Sequence, residues 1–143
     1  MTAQEILDAN SYTTIATADT HGTPWVSPVW FAPEGPSHLL WVSDPGARHS
    51  RNIAQRPQIA VVVFDSRAAI GAAQGLYLTA TAVQVHDGLA EAIAAFSAHS
   101  VRSGAAAWGP EDVTGPARLR LYGATVAERW LLGAQDRRIP VRD

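Results

Sequence analysis

The chain has 143 residues, a length that fits one domain over 1–143, and at 47% hydrophobic it can build a sizeable core. Its formal net charge is -2, which gives no reason to expect nucleic acid as a partner. Cysteine is absent, which excludes disulfides, thiolate zinc sites and cysteine nucleophiles. Lysine is absent too, and all 11 basic residues are arginine. Schiff-base chemistry and a Walker-type phosphate loop are therefore excluded, and any phosphate must be held by arginine, histidine, hydroxyls or backbone. No early apolar run resembles a signal peptide and none is long enough to span a bilayer, so a soluble cytoplasmic protein without membrane partners is expected.

A short amphipathic helix is predicted over 3–9 with Ile6 and Leu7 inward. Residues 11–18 are β-branched and read as a strand, and Asp19-Thr20-His21-Gly22 supplies a turn. A second strand follows over 23–31. Pro24 and Pro28 within it predict an edge or bulged strand, because proline cannot donate to a ladder. After a turn at 33–36, residues 38–43 form a third strand. A helix over about 47–56 ends before Pro57, and a fourth strand covers 58–65. A loop at 71–75 leads to a long strand over 76–86, and Asp87 is the expected N-cap of a helix over 89–102. Residues 104–115 are rich in glycine, alanine and proline and read as a loop, with an unusual Trp108 inside it. A sixth strand, bent, is expected over 118–132 and a short last one over 138–142. The fold class is thus mostly β (α+β): a six- to seven-stranded antiparallel barrel with a few short helices.

The densest chemistry lies in Arg48-His49-Ser50-Arg51, which crowds two arginines, a histidine and a hydroxyl into the first turn of a helix. Free N–H groups and the helix dipole favour an anion there, and arginine adds forked donors matched to phosphate. Such a turn suits a phosphorylated cofactor, or it is a solvated basic cap. Metal-ligand spacings are missing among His21, His38, His49, His86 and His99, so no metal site is expected. Nor is there a nucleophile elbow or a dinucleotide-binding glycine pattern. Asp65-Ser66-Arg67 reads as a turn with a local ion pair. No residue stands out as a general acid or base. Trp25 and Trp108 read as core or interface packing, and Trp30 as either packing or a wall beside a flat ligand.

The sequence Thr23-Pro24-Trp25-Val26-Ser27-Pro28-Val29-Trp30-Phe31, then Trp41-Val42-Ser43, then Arg48-His49-Ser50-Arg51-Asn52-Ile53 and Pro57, resembles the pyridoxamine 5'-phosphate oxidase-like family. The similarity covers roughly residues 5–86 and continues more weakly from Arg118 to Arg138. It implies the flavin-binding split β-barrel and a homodimer with cofactor at the interface. Flavin mononucleotide (FMN) is the common ligand; the deazaflavin coenzyme and heme are the alternatives. A flavin-dependent oxidoreductase acting on a small-molecule substrate follows as the implied activity, with a non-enzymatic flavin- or heme-binding protein as the other reading.

Carried over by position, the resemblance puts the phosphate on Arg48, His49, Ser50 and Arg51. It puts the ring beside Ser27, Pro28, Val29 and Trp30, and the ribityl chain by Trp41, Val42 and Ser43. The partner subunit would supply the segment from Gln74 to Tyr77, with Trp130 and Arg138. The long anionic tail of a deazaflavin coenzyme would need a basic groove, for which Arg51, Arg56 and Arg67 are candidates; heme would need His21, His86 or His99 facing the pocket. Two departures stand out. His49 occupies a position where the family often has lysine, so cofactor affinity is expected to weaken as pH rises from about 6 to 8.5. Strand two lacks the arginine and lysine that grip a vitamin B6 phosphate, so pyridoxamine phosphate oxidation is not expected.

Overall fold

A computed structural model describes residues 1–142. Three helices and seven strands appear in the order α1 (Ala3–Ala9), β1 (Tyr12–Ala18), β2 (Pro24–Glu34), β3 (His38–Ser43), α2 (Arg48–Gln55), β4 (Gln58–Phe64), β5 (Gly75–Gln84), α3 (Leu89–Arg102), β6 (Arg120–Leu132) and β7 (Arg138–Pro140). The strands neighbour one another as β3-β2-β1-β4-β5-β6-β7, all antiparallel, and an additional β3–β6 pairing closes the first six into a barrel. The outcome is the expected mostly β barrel with one extra strand. Turns of 3-10 helix at Pro110–Asp112 and Ala134–Asp136 complete it.

Alternation decides which side chains fill the barrel. Thr13 and Ile15 of β1, Val29 and Phe31 of β2, Leu39 and Trp41 of β3, Val61 and Val63 of β4, and Leu76 and Leu78 of β5 are all buried. Most of them join Ile6 and Leu7 of α1 and Ile53 of α2 in one cluster. A second cluster forms outside the barrel, where Ile93 and Phe96 of α3 cover Ala32, Leu40 and Leu121. Two apolar layers therefore sandwich β3: Leu39 and Trp41 point in, Leu40 and Val42 point out.

β2 does what its prolines demand. Residues 24–30 pair only with β1, and only residues 31–34 pair with β3. The stretch holding Pro24 and Pro28 thus has a free backbone edge, and the strand runs three residues beyond the expected end. β6 bends as expected: Ala80 faces Val126 and Thr79 faces Glu128, so Ala127 is the extra residue of a bulge. One helix start differs. Asp87 does not cap α3; Gly88 takes that position with φ +67°, and its carbonyl accepts from the Ala92 N–H at 3.0 Å. A left-handed cap residue favours glycine over aspartate there. The Asp65 carboxylate accepts from the backbone N–H of Arg67 at 2.9 Å, and the expected Asp65–Arg67 ion pair is not among those of the described residues.

Candidate functional site

α2 begins where β3 leaves the barrel. Its N-cap, Ala47, offers no side-chain acceptor, and no acidic residue lies in the first turn. The first-turn N–H groups of Arg48, His49 and Ser50 therefore have no helical acceptor and no capping oxygen. Asp44, just before the helix, is engaged elsewhere: its carboxylate accepts from the Gly46 N–H at 2.8 Å and meets Arg118 at 3.9 Å.

Arg48 and Arg51 are exposed on one face of α2. The Arg48 guanidinium rests on the Trp25 ring, 4.3 Å from its centroid. Trp25 is 41% exposed, so it is not a core residue; it is a platform that holds a cation beside the free edge of β2. His49 is half-buried, with Nε2 2.9 Å from Ser43 Oγ, and burial holds its imidazole below the usual histidine range. Behind them Asn52 is buried and donates from Nδ2 to Thr17 Oγ1 at 3.0 Å, which pins α2 to β1. Thr17 Oγ1 in turn reaches the Trp25 carbonyl at 3.5 Å. Nothing in the local sequence pairs Arg48 with Trp25, or Asn52 with Thr17; both contacts come from closing the β1–β2 hairpin against α2.

Several expected ligand side chains point elsewhere. Ser50 is 2% exposed, and its Oγ has no hydrogen-bond partner among the described residues. It lies on the α2 flank facing Ala82, His86 and Tyr122, so only its N–H is placed to meet an anion held by Arg48 and Arg51. Val29 and Trp41 alternate inward and are wholly in the core; the Trp41 ring stacks on Tyr122 at 6.2 Å. Their side chains cannot touch a ligand outside the barrel, although their backbones can. Pro28, Trp30 and Val42 point outward, and the Ser27 hydroxyl donates to the neighbouring Pro28 carbonyl at 3.4 Å.

Trp30 meets Phe96 edge-on at 5.5 Å and lies 5.5 Å from the His99 ring. Trp108 meets the same Phe96 edge-on at 5.7 Å. These aromatics wall a cavity of about 280 Å³ between α3 and the outer face of β2 and β3. The oddity of a tryptophan in a glycine-rich loop was the one sequence signal for it.

The residues expected to come from a partner form their own cluster. Trp130 pairs with Tyr77 across β5–β6, and the Arg138 guanidinium lies 4.2 Å from the Tyr77 ring centroid. Gln74 sits apart, exposed near Met1 and Asn10. Tyr77 and Ala82 lie on the same strand, and Ala82 is the one facing α2, so about 17 Å of β5 separates this cluster from α2 within one chain. The candidate tail groove does not form either. Arg51 lies on α2 and Arg56 donates to the Thr20 carbonyl at 3.2 Å, but Arg67 lies past the far end of β4, about 20 Å away at strand rise.

The chain is similar in fold to a heme-binding protein of Mycobacterium smegmatis, with a TM-score of 0.76 and 22% identity over 97% of this chain; it spans 55% of that protein's length. The heme storage protein HutZ of Vibrio cholerae aligns at TM-score 0.68 and 20% identity, covering 90% of this chain and 89% of HutZ. An F420 reductase aligns at 0.63 and 22% identity, covering 88% and 94%. No curated protein matches significantly in sequence. The family model of pyridoxamine 5'-phosphate oxidase matches residues 2–133, which include all six strands of the barrel, and the chain belongs to that family.

Proposed function

We propose that this protein is an FMN-binding oxidoreductase that works as a homodimer. The observation that carries the reading is the uncapped, acid-free first turn of α2. There the Arg48 guanidinium is already parked on Trp25 with no salt-bridge partner among the described residues, beside a strand edge with free backbone groups. Such a turn fits a phosphate: N–H donors and two arginines converge, and the helix dipole adds to them. The free edge of β2 over 24–30 fits the polar rim of a flat ring, which bonds to carbonyls and N–H groups. Bound flavin supplies the two-electron chemistry itself. The chain's part is to hold the phosphate with Arg48, Arg51 and the first-turn N–H groups, to orient the ring along β2, and to keep water off the side facing Trp30.

A second copy completes the site. Tyr12 and Val26 are 63% and 62% exposed on the outer sheet face, and Phe64 is 46% exposed. Between them run Thr14, Ala16, Ala60 and Val62, none of them charged. An uncharged apolar sheet face of this kind is a protein contact surface. A copy seated on it brings its own Tyr77, Trp130 and Arg138 towards the α2 of the first.

The test is titration of FMN and of riboflavin, which lacks the phosphate, followed by flavin fluorescence. Wild type binds FMN more tightly, and Arg48→Ala weakens FMN by roughly 10–100-fold, the worth of one charged hydrogen bond, while leaving riboflavin unchanged. Equal affinity for the two flavins in wild type would overturn the reading. The heme alternative draws on His99, the one histidine against Trp30, and on the two heme-protein neighbours in fold. The visible spectrum of the purified protein separates a flavin band pair, a deazaflavin band and a Soret band.

A further inference from the structure

We infer that the cavity between α3 and the outer face of β2 and β3 binds an uncharged planar aromatic molecule of about two fused rings, beside the cofactor and not in its place. Its volume of about 280 Å³ lies at the lower end of small-ligand pockets. Trp30, Phe96 and Trp108 wall it, with Val42 and Leu119 beside them and Ala105 exposed at its margin. Trp30 and Trp108 each meet Phe96 edge-on, an arrangement that leaves aromatic surface free to stack on a flat ligand.

Two polar groups beside this cavity are already paired. Ser100 Oγ donates to the Ala106 carbonyl at 2.6 Å, and the backbone N–H of Trp108 donates to Ser97 Oγ at 2.8 Å. Among the described residues no charged side chain lines the cavity. An ionic ligand entering it would lose hydration and find no partner, a cost of several kcal/mol. A phosphate therefore belongs at α2, and an apolar ring belongs here.

The cavity is also preformed. The loop after α3 would be pliant on composition alone, yet it is tethered at several points. Besides the two bonds above, the Ala105 N–H donates to the Ser100 carbonyl at 2.9 Å, and Val113 is buried in the outer cluster. These tethers hold Trp108 against Phe96, in the cavity wall that it shares with Trp30. Only the ligand's place next to a cofactor rests on the flavin reading; its binding does not.

Equilibrium dialysis of 1-naphthol against 1-naphthalenesulfonate, with cofactor-free protein, tests this. The neutral compound is expected to bind at least tenfold more tightly. Ala105→Trp, at an exposed position, fills the margin and weakens 1-naphthol at least tenfold without changing FMN affinity. No binding of 1-naphthol, preference for the sulfonate, or indifference to Ala105→Trp would overturn the inference. If 1-naphthol binds and FMN does not, the cavity stands and the flavin reading falls; the converse removes the cavity alone.

Discussion

Replacing Ser50 by alanine separates two accounts of the α2 first turn. If the hydroxyl were a phosphate ligand, its loss would weaken FMN. In the structure Ser50 is 2% exposed, and its hydroxyl has no partner among the described residues and lies on the flank away from Arg48 and Arg51. An unsatisfied buried hydroxyl costs about 1–3 kcal/mol, and Ser→Ala inside a helix adds about 0.5 kcal/mol in the same direction. Ser50→Ala is therefore expected to stabilise the protein by about 1.5–3.5 kcal/mol. For a chain near this length that raises Tm by roughly 4–12 °C. The Ser50 N–H survives the substitution, so FMN affinity stays within about twofold of wild type. Thermal unfolding followed by circular dichroism, beside flavin titration, reads both quantities. A fall in Tm would mean that the hydroxyl is satisfied, by a buried water for example. A tenfold loss of FMN would restore the hydroxyl to the phosphate site. Either result refutes the reasoning.

Burial holds His49 below its usual range, and burial followed by the neighbouring Arg102 does the same for His99. The unfolded chain then binds protons more readily than the folded one, so stability is complete above about pH 6.5 and is lost as pH falls from there through the lower folded-state values. The urea midpoint should drop between pH 7 and about 5.5 and should drop less in His49→Gln. FMN affinity should move the other way, since a phosphate favours the imidazolium: tighter at pH 6 than at 8.5, and a flat titration would sink that claim. Asn52→Ala cuts the tie to Thr17 and leaves that buried hydroxyl only its long contact with the Trp25 carbonyl; a loss of about 1–3 kcal/mol is expected in chemical denaturation, with weaker FMN binding as α2 loosens. Val62→Arg puts a charge in the middle of the uncharged sheet face and should shift the protein from dimer to monomer in light scattering, while an unchanged mass would count against that interface.

Most of the fold was legible because its signals are local. Pro24 and Pro28 announced the unpaired edge of β2, and period-two alternation announced the strands. What alternation also dictates, and what a contiguous run such as Ser27-Pro28-Val29-Trp30 hides, is that neighbours in a strand cannot share a ligand. Pro28 and Trp30 reach the outside while Val29 belongs to the core, and Val42 reaches out while Trp41 does not. The Arg48–Trp25 stack, the Asn52–Thr17 bond and the aromatic cavity were beyond the sequence for a different reason. Each joins residues from separate elements, and only tertiary closure sets their spacing. Gly88 in place of Asp87 at the α3 cap shows the same limit on a small scale: side-chain preference favoured aspartate, and the required backbone angle favoured glycine.

The pairing of β3 with β6 has a consequence for how the protein reaches this structure. Leu40 lies against Gly123, and these residues are about 80 apart in the chain, so that contact costs ~2–3 kcal/mol more in chain entropy than a tight hairpin. β1, β2 and β3 can meet as successive neighbours, as can β4 and β5, and the β1–β4 pairing joins the two groups, but the ring cannot shut until β6 has been made and has found both flanks. Until then β3 and β5 present raw edges, which other chains can join. The slow step of folding, and the moment of greatest exposure to aggregation, should therefore belong to a single late strand.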